Sequence, residues 1–211
     1  MNTIYDNLFQ FSNYVRPIDL TFHQYLLASS EPLLVHTGDM GQAESLASGL
    51  KSILGTNPLR YIFISHFESD ECGGLSVILR EFPQAKPICS EVTARQLSGF
   101  GITNDVIVKK SGEKLSSDDY ELEFISYPSE MHLWEGLLLM ENKRGIFFSS
   151  DLMLRFGKVE DQTVAGSWQE EIDTIGPMQI SDPEKRSQLK TELGRLDPKF
   201  LATGHGPCIR L

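Results

Sequence analysis

Two hydrophobic periods alternate along the first half of the chain. PLLVHTG (32–38) and RYIFIS (60–65) are short apolar runs that end in turn or polar residues, as buried strands do, while Ala43, Leu46, Ala47, Leu50, Ile53 and Leu54 recur between them at helical spacing. This pattern predicts a β-α-β unit. Leu75, Ile78, Leu79 and Phe82 repeat the helical period, KPICS (86–90) reads as a further strand, and SEVTARQL (90–97) opens with a capping serine and reads as a helix. From Asp105 onward the pattern shifts to strand-like runs: DVIVKK, YELEFISY, GLLLMEN and RGIFFSS, with Glu141–Arg144 as a hairpin turn. Asp182-Pro183 supplies a cap with proline at the first helical position, Leu189, Leu193 and Leu196 form a stripe, and KFLATGHG (199–206) is a strand running into a loop. Two sheets flanked by helices would bury all these faces, which makes the fold class α/β. The 211 residues carry no low-complexity linker and suit one domain spanning 1–211.

Composition narrows the function classes. Hydrophobic residues make up 40% and charged residues 23%, as in ordinary globular domains. The 29 acidic residues outnumber the 19 basic ones, so a phosphate-binding face would work against a net charge of −10, and nucleic acid is excluded as an expected partner. The apolar runs are broken by charge well before membrane-spanning length, and the start MNTIYDNLFQ lacks a basic n-region; a soluble, unexported protein is expected. Three cysteines, Cys72, Cys89 and Cys208, form no CxxC pair and fit a reducing cytoplasm, with Cys72 read as a space-filling residue.

The chemistry concentrates in His66-Phe67-Glu68-Ser69-Asp70-Glu71-Cys72-Gly73-Gly74, between the strand RYIFIS and a helix beginning near Leu75. If this stretch is extended, alternate side chains share a face and His66, Glu68 and Asp70 converge on one point. The glycines would let the backbone turn tightly and approach whatever is bound. A solvated polar loop before an acidic helix start is the competing reading. His132, Asp151 and His205 each fall at the edge of a strand-like run, in YPSEMHLWEG, IFFSSDLM and LATGHGP, and together they complete a metal-binding set. Three imidazoles and four carboxylates, with no thiolate required, suit iron or manganese better than a sulfur-rich zinc site.

These residues resemble the metallo-β-lactamase superfamily and, within it, the diiron domain of the flavodiiron proteins. The superfamily's zinc hydrolases carry HxHxDH and the flavodiiron proteins HxExDH; here the positions read His66, Glu68, Asp70 and Glu71, with Glu68 as the diagnostic residue. His132, Asp151 in IFFSSD and His205 in GHGPCIR match the family's later ligands in order. The resemblance implies an αββα sandwich holding two iron ions, with zinc or manganese as substitutes. By carry-over, His66, Glu68, His132 and the bridging Asp151 would serve one iron, and Asp70, Asp151 and His205 the other. Glu71 replaces the family's usual histidine: it either adds an anionic oxygen beside the second iron or points into solvent and caps a helix. The flavodoxin-like domain that follows in flavodiiron proteins is not in this chain, and no flavin-binding glycine loop is visible.

The resemblance therefore implies a protein that binds or reduces dioxygen or nitric oxide, with electrons from an external donor. A cytoplasmic oxygen sensor coupled to a signalling protein is the second reading, and a zinc hydrolase, disfavoured by Glu68, the third. A homodimer is among the assemblies the resemblance allows. His36, where the superfamily commonly has Asp, and His23 are expected to be structural or to support a ligand; Tyr127 and Trp134 are expected in the core more than lining an oxygen pocket. The DQTVAGSWQEE stretch (161–171) reads as a loop and helix without an assigned role.

Overall fold

A computed structural model describes residues 2–128, 135–160 and 162–211. The elements in chain order are β1 (Asn2–Tyr5), β2 (Leu8–Val15), β3 (Leu20–Leu27), β4 (Leu33–Val35), α1 (Ala43–Leu54), β5 (Tyr61–Phe63), α2 (Ser69–Cys72), α3 (Leu75–Glu81), β6 (Lys86–Cys89), α4 (Glu91–Gly99) and β7 (Ile107–Val108). There follow β8 (Lys114–Ser116), β9 (Glu121–Tyr127), β10 (Gly136–Glu141), β11 (Ile146–Ser150), β12 (Thr163–Ala165), α5 (Trp168–Thr174), α6 (Pro183–Leu193), β13 (Phe200–Thr203) and β14 (Cys208–Arg210). The chain divides into two compact units, one of Met1–Asn13 and Phe22–Lys109 and the other of Tyr14–Thr21 and Lys110–Leu211.

The first sheet runs β1 to β7 in sequence order. Its parallel part, β4-β5-β6-β7, is the product of the alternating periods: each crossover carries a helix, and the central strands β4 and β5 are buried throughout while the edge strand β7 is partly exposed. β4 and β5 are accordingly apolar at every position. The helix α1 spans Ala43–Leu54 as the spacing predicts, and Leu46, Leu50 and Leu54 pack with Leu34, Ile62, Leu75 and Ile78 in one cluster. Each such side chain contributes about 1.5–3 kcal/mol when fully buried. Ser90 caps α4 by accepting the Thr93 amide at 3.2 Å, as its position in the sequence suggests. DVIVKK belongs here: β7 pairs in parallel with β6 at the edge of this sheet and is not part of the β-rich second half.

The second sheet has the order β12-β14-β13-β11-β10-β9-β8. β9, β10 and β11 form antiparallel neighbours around the turn at 141–145, where the buried Glu141 carboxylate accepts the amides of Lys143 and Arg144. β11 pairs in parallel with β13, so residues more than fifty positions apart become neighbours. α6 starts at Pro183 with Asp182 accepting the amides of Glu184 and Lys185, and its Leu189 and Leu193 join Phe147, Leu152, Ile172 and Leu201 in the second core cluster. The 161–171 stretch resolves, from residue 162, into β12 and the start of α5; Trp168 of α5 meets Phe147 edge-on and donates its indole N–H to the Leu193 carbonyl at 3.0 Å.

Candidate metal centre

In the first unit, His66 follows β5 by three residues and Glu68 is extended (φ −140°, ψ 166°). The chain then turns into α2 at Ser69, which changes the expected geometry. A helical turn places positions i and i+3 side by side, so the residue that joins His66 and Glu68 is Glu71 rather than Asp70. One donor atom from each of His66, Glu68 and Glu71 lies within 4.8 Å of the others. The His66 Nε2 atom is 3.1 Å from a Glu68 carboxylate oxygen and 3.9 Å from one of Glu71. His66 is fully buried and Glu71 is 1% exposed, which removes the solvent-facing cap as a description of Glu71. Asp70 sits one position earlier on the same turn, partly exposed.

The glycines that follow act differently from their expected role. Gly73 and Gly74 adopt helical torsions, φ −59° and −82°, and neither forms a tight turn. Their value is proximity: a Cβ at Gly74 would meet the Thr37 carbonyl at 2.8 Å and the Ala43 Cβ at 2.7 Å. The ligand-rich turn thereby lies against the loop after β4, where the Thr37 amide donates to the Glu71 carbonyl at 2.9 Å.

In the second unit, Asp151 follows β11 and His205 follows β13, so the parallel pairing of those strands brings two residues 54 positions apart to the same end of the sheet. His205 Nε2 is 3.1 Å from Asp151 Oδ1. The other ring nitrogen, Nδ1, lies 3.2 Å from the Thr21 carbonyl, so the ring is held between a backbone oxygen on one side and the Asp151 carboxylate on the other. The approach depends on Gly204, whose amide donates to the Ser150 carbonyl at 3.0 Å and whose Cβ, if present, would stand 2.8 Å from that oxygen. Arg155, absent from the sequence reading, donates its amide to the His205 carbonyl and its guanidinium to the buried Glu171 at 2.6 Å.

Two non-glycine residues with left-handed torsions border these groups: His36 (φ 63°) and Ser150 (φ 49°), the latter directly before Asp151. Each costs on the order of 1–3 kcal/mol, and such outliers cluster where surrounding structure must aim a side chain. His36 is buried and linked to Ser65, whose hydroxyl also contacts His66. His23 is a buried partner of Ser12 at 2.8 Å, a structural role as expected. Tyr127 is a member of the second core cluster. His132 and Trp134 lie outside the described residues. The three cysteines are buried and free, and burial pushes the Cys72 thiol up to about 12; its S–H donates to the Glu68 carbonyl at 3.1 Å. Cys72 is thus a neutral, space-filling thiol that steadies the ligand turn.

The profile of a family described as "ODP family beta lactamase" matches residues 20–206. The chain belongs to this family. Curated relatives of the ODP-family chain include a nitric oxide reductase of Moorella thermoacetica, 26% identical over 156 residues that cover 69% of this chain and 38% of that protein. Diflavin flavoprotein A 1 of Synechocystis sp. is 24% identical over 205 residues, covering 90% of this chain and 34% of the relative. The chain spans about a third of the length of the curated relatives it matches. Among solved structures, the rubredoxin oxygen:oxidoreductase of Desulfovibrio gigas superposes with a TM-score of 0.81 at 19% identity, over 99% of this chain and 57% of that one. The ODP-family chain therefore has the α/β metallo-β-lactamase fold that its motifs resemble. No helix among the described residues is long and apolar enough to cross a membrane.

Proposed function

We propose that this ODP-family chain is the diiron-bearing part of an oxidoreductase that reduces dioxygen or nitric oxide with electrons from a separate donor. The observation that carries this reading is the donor set: His66 flanked by two carboxylates, Glu68 and Glu71, where a zinc hydrolase would present further imidazoles. Hard oxygen donors with imidazole, and a nearby thiol held neutral, favour iron or manganese over a thiolate-selected metal. His66, Glu68, His132 and Asp151 would hold one iron, and Asp70, Asp151 and His205 the other, with Glu71 beside them. The names of relatives support the reaction class: a nitric oxide reductase, a coenzyme F420H2 oxidase and a rubredoxin oxygen:oxidoreductase. By the same analogy the donor is a small redox protein or reduced cofactor that the chain meets in the cytoplasm.

When bound, an iron pair supplies electrons to a diatomic oxidant. The protein's own residues set the conditions. Carboxylates offset the charge gained when the metals are oxidised, and the Thr21 carbonyl holds the Nδ1 side of the His205 ring so that Nε2 faces Asp151. Burial of His66 and His205 limits water around both imidazoles.

The test is anaerobic reconstitution with ferrous iron followed by metal analysis and exposure to oxygen or nitric oxide. Two irons per chain and a new visible absorption band are expected, with negligible turnover on NADH alone. Fewer than one iron per chain would overturn the diiron assignment. Strong thioester or β-lactam hydrolysis by a zinc-loaded form would replace it with a hydrolase.

A further inference from the structure

Within the first unit, residues of β2, β3 and the first turns of α1 enclose a cavity of about 540 Å³, in the size range of small-molecule sites. Phe11 and Leu46 supply apolar walls, and Gly49 lets the edge of the Phe11 ring lie directly on α1, where a Cβ would meet that ring at 2.6 Å. Ser45 lines the cavity from an exposed position. No described residue of the lining is charged, so an ion entering it would meet no counter-charge there.

Two carboxamides make this space more than a gap in packing. Gln24 of β3 is 3% exposed, and its Nε2 atom has no hydrogen-bond partner among the described residues. Gln42 Nε2 donates to Asp39 Oδ2 at 3.4 Å; a carboxylate only accepts, so the other atom of that amide is the oxygen Oε1, and it too is buried and unpartnered. Both atoms reach the same spot. Gly38 lies in the left-handed region (φ 68°), and a Cβ on it would stand 2.9 Å from Gln42 Oε1 and 3.4 Å from Gln24 Nε2. An orphan donor and an orphan acceptor are thus held side by side, at a cost in free energy that a complementary ligand removes.

We infer that this cavity is a binding site for a neutral, planar molecule with an amide edge, a primary carboxamide or a lactam, whose C=O accepts from Gln24 Nε2 and whose N–H donates to Gln42 Oε1. Such an edge carries an acceptor beside a donor, the complement of the orphan pair, and the flat body behind it suits the apolar walls. A carboxylate offers the acceptor without the donor and brings a charge that the lining does not meet. The site does not rest on the diiron reading, yet it adjoins the ligand turn. The Gly38 carbonyl accepts the Gly74 amide at 2.8 Å, and the Thr37 amide donates to the Glu71 carbonyl at 2.9 Å, so the backbone segment 37–39 is a wall common to both.

Benzamide and benzoate, alike in size and shape, test the edge. Proton–nitrogen correlation spectra of the ¹⁵N-labelled full chain read the side-chain NH₂ groups of Gln24 and Gln42, assigned by their loss in Gln24→Met and Gln42→Met. Benzamide should shift both signals saturably, and benzoate should bind about tenfold more weakly or not at all. Gln24→Met leaves the ligand carbonyl unpaired and should weaken benzamide by about tenfold, followed in the Gln42 signal. Ser45→Trp, at an exposed position, obstructs the cavity without touching either carboxamide and should abolish the saturable shifts even if Gln24→Met does not fold. Benzamide that moves neither signal, the result if the cavity takes up only water, would overturn the site, as would shifts that survive Ser45→Trp. Benzoate binding as tightly as benzamide would overturn the amide edge.

Discussion

The ligand-rich turn of the first unit and the Asp151–His205 pair of the second are assembled by opposite means. His66, Glu68 and Glu71 lie within six consecutive residues, and one strand end followed by one helical turn is enough to gather them. Asp151 and His205 meet only because β11 and β13 pair in parallel with Ser150 opposite Thr203. Local assembly tolerates changes elsewhere in its sheet, whereas assembly through strand pairing inherits every fault in register. The two also differ in what stands behind the imidazole: a backbone carbonyl behind His205 and the Ser65 hydroxyl behind His66.

The strongest test of this contrast removes ligands. Asp151→Ala should lose both irons, while His66→Ala and His205→Ala should each lose mainly one, as read by iron per chain after anaerobic reconstitution. Full occupancy in Asp151→Ala would deny that the residue bridges. Next in size, Gly204→Val places a side chain against the Ser150 carbonyl and should destabilise the protein by about 1–3 kcal/mol, seen in denaturant unfolding. It should displace His205 from Asp151, read from the His205 ring resonances; unchanged resonances would mean that the close approach at Gly204 does not set that distance.

A third test concerns the first unit alone. Burial pushes the Cys89 thiol from 9.0 up to about 12. Folding therefore holds a proton that the unfolded chain releases, so this contribution is complete below about pH 9 and is lost as pH rises toward 12. Stability should fall across that alkaline range, and Cys89→Ala should flatten the fall; an unchanged slope would place the loss elsewhere. The smallest effect is a control. Asp182→Ala removes the cap of α6 and should cost about 1 kcal/mol in urea unfolding with iron binding unchanged.

The same contrast explains what the sequence made legible. The helix α1 is marked by its spacing, and α4 and α6 by caps that act within a few residues; their observed starts at Ala43, Glu91 and Pro183 agree. The ligand candidates were equally visible as residue types, but their convergence was not: the start of α2 at Ser69 exchanges Asp70 for Glu71 as the neighbour of His66 and Glu68. Periodicity was too weak to announce a four-residue helix. β1 and β2 leave little trace because polar residues such as Ser12 and Asn13 interrupt the alternation of β2, and DVIVKK reads with the strand-like runs that follow it because a two-residue strand carries no record of its partner. Ser65 and Arg155 were passed over for a related reason. Their importance lies in what they touch, the His66 ring and the His205 carbonyl, and neither contact leaves a pattern in sequence.

The position of β13 and β14 has a consequence for how the chain is born. These strands follow β11 and β12 in the chain, yet are inserted between them in the interior of the second sheet. Until Phe200–Arg210 have left the ribosome, β11 and β12 each present an unpaired edge, and the pairing that closes over fifty residues of loop cannot begin. The first sheet, whose strands pair in the order they are made, faces no such delay. A nascent chain stalled near residue 199 should thus hold a folded first half beside an aggregation-prone second half, and protease pulses on ribosome-bound chains of increasing length would show protection arriving in two separate steps.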